Sequence, residues 1–151
     1  MIRTARSKGF TLLELVIALA VISIISGGVF FAFRPTQQRN LQNASLQLQA
    51  DLRYAQRRAI IEGRRFGVAF DLTANNYRIV AENPRETIRT VYFQDGVRLR
   101  YVTGARLNFL PRGTASSGFR IRLSNGDYWQ QLTATVSGGR IRIFEITEGE
   151  T

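Results

Sequence analysis

The sequence predicts an α+β protein in which one long N-terminal helix packs on an antiparallel β-sheet or on a two-sheet sandwich. Three observations predict it: positions 10–33 are almost wholly apolar, positions 34–63 carry apolar residues at helical spacing, and positions 64–151 are short alternating segments separated by turn residues. With 151 residues in total, the chain has room for an N-terminal anchor and one small globular head.

The first two segments predict a membrane anchor. Residues 1–9 form a short basic leader, whose charges favour the cytoplasmic side of a membrane. Segment 10–33 has no charge after Glu14 and would be ~36 Å long as a helix, enough to cross a ~30 Å hydrocarbon core. The apolar run is too long for the core of a secretory signal peptide. We therefore expect a single-pass protein of the cytoplasmic (inner) membrane with its head outside the cytoplasm.

Segment 34–63 predicts an amphipathic helix that continues the anchor into the head. Its apolar positions follow spacings of 7, 4, 3 and 4 and fall on one face, at Leu41, Leu48, Leu52, Ala55 and Ala59. The opposite face is polar, with Gln38, Arg39, Gln49, Arg53 and Arg57. Pro35 predicts a kink or a loosened turn, and Gly63 suits the position just after a helix end.

The head, 64–151, reads as strands joined by turns. Pairs such as Asn75-Asn76, Asp95-Gly96 and Asn125-Gly126 provide the turn chemistry, and Asn125-Gly126 is a strong hairpin signal. The predicted strands are 66–70, 77–81, 88–93, 97–102, 107–110, 119–123, 128–136 and 140–146.

The residue types that are missing argue against an enzyme. The chain has no Cys and no His, and its single Lys, Lys8, lies in the leader. Beyond the leader, Ser-His, Cys-His and Ser-Lys pairs and Schiff-base lysines are therefore excluded, and the acidic residues show no informative spacing. We expect no catalytic residues, no cofactor and no metal. The loop 71–76 offers oxygen ligands for calcium, but it lacks the glycine and terminal glutamate of known calcium loops and is more simply a polar turn.

The start of the apolar run resembles the class III leader of type IV prepilins and type II secretion pseudopilins. The resemblance rests on Gly9 at the end of the leader, Phe10 as the next residue and Glu14 as the fifth from there. It implies cleavage between Gly9 and Phe10 by a prepilin peptidase, methylation of the Phe10 amine, and pairing of Glu14 with the N-terminus of a neighbouring subunit. The alternative is that Glu14 lies shallow at the membrane interface without a partner.

Arginine is the second unusual feature. The chain carries a formal charge of +10, and without the three basic leader residues it still has 18 basic against 11 acidic residues, or +7. Three predicted strands carry Arg at alternate positions, which places each pair on one face: Arg98 and Arg100, Arg120 and Arg122, and Arg140 and Arg142. Either these pairs form an ordinary solvated sheet face, or they bind an anion.

The head resembles the minor pilins of the GspH/FimT type, through the run Phe109-Leu-Pro-Arg-Gly113, Gly118-Phe119 and Gly139-Arg140. DNA-binding members of that group use a Gly-Arg-x-Arg motif, which Gly139, Arg140 and Arg142 match. In this interpretation Arg98, Arg100, Arg120 and Arg122 would support the site by gripping phosphates without reading sequence. The acidic residues Glu145, Glu148 and Glu150 argue against it, because they would repel DNA.

Two functions therefore remain open. One is a structural minor pilin or pseudopilin, anchored in the membrane, that helps assemble a type II secretion or type IV pilus filament with other pilin subunits. The other is a pilus-borne receptor for double-stranded DNA that serves DNA uptake.

Overall fold

The computed structural model describes residues 11–136 and 139–149, and within the helix it leaves the side chains of 24–35 outside the description. The chain divides into two compact units, Met1–Pro35 and Thr36–Thr151. The predicted cleavage junction, Gly9-Phe10, lies outside the described residues, as do Glu150 and part of segment 10–33. Within the described residues, no helix combines the length and the apolar character needed to cross a bilayer.

Helix α1, Leu12–Glu62, supplies one wall of the core in the second unit. Leu41, Leu48, Leu52, Ala55 and Ala59 are all 0% exposed, so the apolar stripe is the buried face, as predicted. The helix ends before Gly63, whose φ of 61° is the left-handed conformation that glycine adopts readily. The assigned helix passes through Pro35 without interruption, and the kink expected there stays a prediction.

In the part of the chain that the structure describes, nine strands follow the helix. Their bounds are β1 Phe66–Asp71, β2 Asn76–Ala81, β3 Glu86–Tyr92, β4 Arg98–Val102, β5 Arg106–Phe109, β6 Phe119–Asn125, β7 Tyr128–Ala134, β8 Ile141–Ile143 and β9 Thr147–Glu148. The hairpin predicted at Asn125-Gly126 joins β6 to β7, with Gly126 at a φ of 58°.

The strands form two antiparallel sheets. The first sheet has the order β3-β2-β1-β5, and the second has the order β4-β6-β7-β8, with β9 also paired to β7. The chain therefore leaves the first sheet after β3, enters the second with β4, returns with β5 and crosses again to β6. Asn75 holds the first crossing: its side-chain amide donates to Val97 O at 2.9 Å, and its Oδ1 accepts from Leu99 N at 2.8 Å.

The last predicted strand, 140–146, is wrong as a single element. The structure has β8 over Ile141–Ile143 and a separate short strand β9 after it. Between them, Gln130 Nε2 donates to Phe144 O at 2.9 Å, so a side chain takes the place of a ladder partner there. The connection from Ile143 to Thr147 is also one residue longer than the facing stretch of β7 from Leu132 to Trp129, which interrupts the pairing.

The core joins the helix to both sheets. One buried cluster contains Leu48 and Leu52 of α1, Ile79 of the first sheet, and Ile121 and Leu132 of the second. Every residue of this cluster lies between 41 and 146, inside the unit Thr36–Thr151. That unit thus holds a complete core of its own, and residues 36–151 are the natural soluble fragment, called the head fragment below.

An ionic cluster around a buried carboxylate fixes the helix to the first sheet. Asp51, 4% exposed, accepts from the Tyr77 hydroxyl at 2.5 Å and pairs with the Arg89 guanidinium at 2.6 Å. Gln47 adds a further hydrogen bond at 3.2 Å. Burial raises the pKa of the Tyr77 phenol far above its ordinary value, and the hydrogen bond to Asp51 adds to the shift. A buried carboxylate needs such partners, because an unpaired charge there would be costly.

We predict that Tyr77→Phe lowers the free energy of unfolding of the head fragment by about 1.5–3 kcal/mol, the range for a hydrogen bond to a charged group. The phenylalanine ring can keep the packing against Phe70 and Phe93. Urea unfolding followed by circular dichroism measures the change. Tyr92→Phe is the matched control, because Tyr92 is 60% exposed and should be nearly neutral. Equal losses in the two variants would contradict a special role for the Tyr77 hydroxyl.

Candidate functional site

The outer face of the second sheet carries five of the six arginines that the alternation predicts on strands; the sixth, Arg140, precedes β8 and lies in the turn. We call this the arginine face; its members are Arg98, Arg100, Arg120, Arg122 and Arg142. Their neighbours Leu99, Ile121 and Leu123 are buried. Arg120 lies opposite Thr133, which lies opposite Arg142, so one row crosses three strands.

Two members of the arginine face already have partners. The Arg122 guanidinium lies over the Trp129 ring, 4.8 Å from its centroid. Arg100 Nε donates to Ser124 Oγ at 2.9 Å. Such contacts hold a guanidinium in place and give it a structural role. Arg98, Arg120, Arg140 and Arg142, in contrast, have no side-chain hydrogen bond, ion pair or ring contact within 11–136 and 139–149.

The turn that presents Arg140 and Arg142 is held against the helix. Gly139 is buried, has a φ of 58°, and leaves no room for a Cβ, which would collide with Gln56 Nε2 and Gly113 O. Gln56 Nε2 also donates to Gly113 O at 2.6 Å, and Gln49 Nε2 donates to Ile141 O at 3.4 Å. The glycine of the Gly-Arg-x-Arg sequence is therefore required by the turn and its packing. The backbone carbonyl of Gly113, the last residue of the run that begins at Phe109, packs against Gly139.

Two arginines that the sequence analysis placed only on the polar side of the helix belong to the same surface. Arg53 and Arg57 of α1 line an open hollow together with Gln56 and residues 139–142. We call this the arginine hollow. All four of its arginines are exposed, and its volume is about 420 Å³. No acidic side chain of the described residues lines it. No sequence period could reveal it, because the hollow depends on which flank of the helix meets β8.

The acidic residues near the C-terminus do not all adjoin this surface. In the β-ladder, Glu148 lies opposite Tyr128, whereas Arg142 lies opposite Thr133, at the other end of β7. Five residues of extended strand separate these positions, or roughly 17 Å. Glu150 lies outside the described residues, and Glu145 is exposed three positions after Arg142. The repulsion of DNA expected from the sequence is therefore weaker for Glu148 than for Glu145.

Glu14 is exposed and lies at the start of α1, in a position that the sequence analysis did not interpret fully. Its backbone N–H points to Thr11, with Thr11 O at 3.0 Å and Oγ1 at 3.3 Å. The spacing Thr11-x-x-Glu14 is that of a capping box, and it could have been recognised in the sequence. The Glu14 carboxylate has no hydrogen-bond or ion-pair partner in the part of the chain that the structure describes.

The described residues contain no group of three or more His, Cys, Asp or Glu side chains placed to hold a metal ion. The predicted polar turn at 71–76 is present: Asp71 Oδ1 accepts from Ala74 N, three residues on, at 2.9 Å, which stabilises the turn.

Two solved proteins are similar to this chain in fold. The minor pseudopilin EpsH from the type 2 secretion system of Vibrio cholerae superposes with a TM-score of 0.61 at 16% identity, covering 70% of this chain and 96% of that one. The type IV minor pilin FimU of Pseudomonas aeruginosa gives 0.60 at 19% identity, covering 71% and 90%. Helix and sheets together therefore have the pilin-like fold of these two proteins.

The sequence comparisons give the family. The family described as type II transport protein GspH matches residues 44–140, and the prokaryotic N-terminal methylation motif matches residues 4–30. The chain belongs to the GspH family. This family and this fold are those of structural pilin subunits.

Two curated relatives are also similar. Competence protein ComGD of Bacillus subtilis (strain 168) is 27% identical over 144 residues, which is 94% of this chain and 96% of that protein. Type II secretion system protein H of Klebsiella pneumoniae is 33% identical over 64 residues, which is 42% of this chain and 38% of that protein.

We predict that Gly139→Ala destabilises the head fragment more than Gly63→Ala does. Both glycines have a positive φ, so both substitutions cost about 1–2 kcal/mol of backbone strain. Only at Gly139 would the new Cβ also collide with backbone, at Gly113 O, whereas Gly63 has open space around it. Gly118→Ala, with neither feature, should be nearly neutral. Denaturant midpoints of the three variants test this order, and equal midpoints for Gly139→Ala and Gly63→Ala would contradict the close packing.

Proposed function

We propose that the chain is a membrane-anchored minor subunit that assembles with other pilin-type subunits into a type II secretion or type IV pilus filament. The single observation that carries the proposal is the pair of matches on one chain, the methylation motif over 4–30 and the GspH family over 44–140. In this proposal a prepilin peptidase cleaves between Gly9 and Phe10 and the Phe10 amine is methylated. Segment 10–33 then anchors the protein in the inner membrane, with the head outside the cytoplasm, until assembly.

Glu14 is the residue that we propose to act in assembly. An exposed carboxylate at the start of a helix without a partner in the described residues is available to a neighbour's N-terminal ammonium. The same residue occupies a capping-box position, which by itself favours an acidic or amide side chain. The two roles make different demands, because capping needs an acceptor oxygen whereas pairing with an ammonium needs a negative charge.

We therefore predict that Glu14→Gln and Glu14→Ala both reduce incorporation into sheared filaments several-fold. The measurement is the amount of the subunit in filaments relative to the membrane, in a strain where the wild type is recovered. N-terminal sequencing of the membrane form serves as the control and should begin at methylated Phe10 in all three proteins. Normal incorporation of Glu14→Gln would contradict charge pairing and leave helix capping as the role of Glu14. A wild-type protein that starts at Met1 would overturn the processing itself.

A second function is favoured by specific observations. The relative from Bacillus subtilis, aligned over 94% of this chain, is named a competence protein. In addition, Arg140 and Arg142 are exposed and have no side-chain partner in the described ranges. A guanidinium group can bind a phosphate through two parallel N–H···O bonds, and such contacts do not read the base sequence. We propose that the head can also bind double-stranded DNA, with Arg140 and Arg142 as the primary contacts and Arg98 and Arg120 as supporting ones.

The expected result for this second function is salt-dependent DNA binding that weakens in Arg140→Gln/Arg142→Gln. If the two side chains neutralise about two phosphates, the plot of log affinity against log salt should flatten by about 1.8, from ~0.9 per phosphate. A fluorescence-anisotropy titration of the head fragment with duplex DNA measures the slope. The charge-matched control is Arg78→Gln/Arg85→Gln, since both residues are exposed and lie away from β8. Failure of the wild-type head to bind duplex at low salt would remove this function and leave the structural one.

A further inference from the structure

The arginine hollow concentrates positive charge, and the described residues that line it include no acidic side chain. Arg53 and Arg57 are four residues apart on α1, a spacing at which like charges repel each other on a helix surface. The hollow brings Arg140 and Arg142 to the same place, and none of the four is in an ion pair with a described residue. The acid nearest in sequence on the helix, Asp51, is buried and pairs with Arg89 on the other flank. An anion from outside would relieve this repulsion.

The arrangement around the hollow is fixed by the fold. Gln56 lies between Arg53 and Arg57 along the helix, and its bond to Gly113 O together with the packing of Gly139 holds the turn beside the helix. Gln49, about two turns before Gln56 on the helix, donates to Ile141 O of β8. The two arginine pairs therefore come from elements that cannot move apart without breaking buried contacts. The backbone positions of the four arginines are therefore fixed relative to each other, and this lowers the entropy cost of binding compared with arginines on a mobile loop.

We propose that the arginine hollow is a two-sided binding site for a backbone phosphate of DNA, in which Arg53 and Arg57 of the helix act together with Arg140 and Arg142 of the turn. This inference rests on the second proposed function and adds the helix half of the site. A phosphodiester fits because it offers several acceptor oxygens to guanidinium groups approaching from different sides. Arg142 belongs both to the hollow and to the arginine face, so a duplex backbone can continue from one to the other.

The test uses the head fragment, duplex DNA and salt titrations. Because Arg140 and Arg142 remain to hold the shared phosphate, Arg53→Gln/Arg57→Gln should weaken binding several-fold at a given salt concentration and flatten the salt slope by no more than about 0.9, the value for one phosphate. The control Arg78→Gln/Arg85→Gln removes the same charge elsewhere and should leave the slope nearly unchanged. Thermal melts of all variants check the fold, which should be intact because Arg53 and Arg57 are exposed.

A double-mutant cycle tests whether the two pairs share their phosphate. In a shared site, the loss of log affinity in the quadruple variant is smaller than the sum of the losses in the two double variants. Additive losses would overturn the shared site.

Sensitivity to Arg140 and Arg142 with no effect at Arg53 and Arg57 would overturn this inference while leaving the DNA-binding function standing. No binding by the wild-type head would overturn both the DNA-binding function and this inference. A loss in Arg78→Gln/Arg85→Gln equal to that in Arg53→Gln/Arg57→Gln would overturn the role of the helix arginines. Impaired filament incorporation of Arg53→Gln/Arg57→Gln with unchanged DNA binding would instead assign the hollow to a neighbouring subunit.

Discussion

The packing of the apolar stripe of α1 against two separate sheets is the constraint on which the head depends. Among the described residues the two sheets share no strand pair, so the helix is their common partner. Leu48 and Leu52 are fully buried in the cluster that includes residues of both sheets, and burying each such side chain is worth about 1.5–3 kcal/mol. The polar flanks of the helix then set its rotation: Asp51 bonds to the first sheet, Gln49 bonds to β8 of the second sheet, and Gln56 bonds to Gly113 in the loop between β5 and β6.

This rotation also decides which polar residues of the helix meet which strand. With Gln49 bonded to Ile141 O and Gln56 to Gly113 O, Arg53 and Arg57 come to lie beside the turn at Gly139. Surface and core are therefore not independent in this molecule. A substitution that rotated the helix about its own axis would separate Arg53 from Arg140 even if each arginine were unchanged.

Sequence patterns predicted the parts of this architecture that lie within one element. A period of two was enough to place Arg120 and Arg122 opposite Ile121, and helical spacing was enough to find the stripe at Leu48 and Leu52. Contacts between elements could not be predicted, because a period shows which residues share a face and says nothing of what that face meets. The bonds Asp51 to Arg89 and Gln56 to Gly113 span 38 and 57 positions in the chain. The break between β8 and β9 likewise depends on a side chain of another strand, Gln130.

The repeated crossing of the chain between the sheets has a consequence for the order of folding. β5 completes the first sheet only after β4 has entered the second, and the second needs β6 and β7, which come later still. A chain made from its N-terminus exposes the helix stripe before either sheet can cover it. Pairings between distant segments, such as β1 with β5, slow the closing of a fold, because loop-closure entropy is lost before their contacts form. During that interval the uncovered leucines are open to proteases and to aggregation with other unfinished chains.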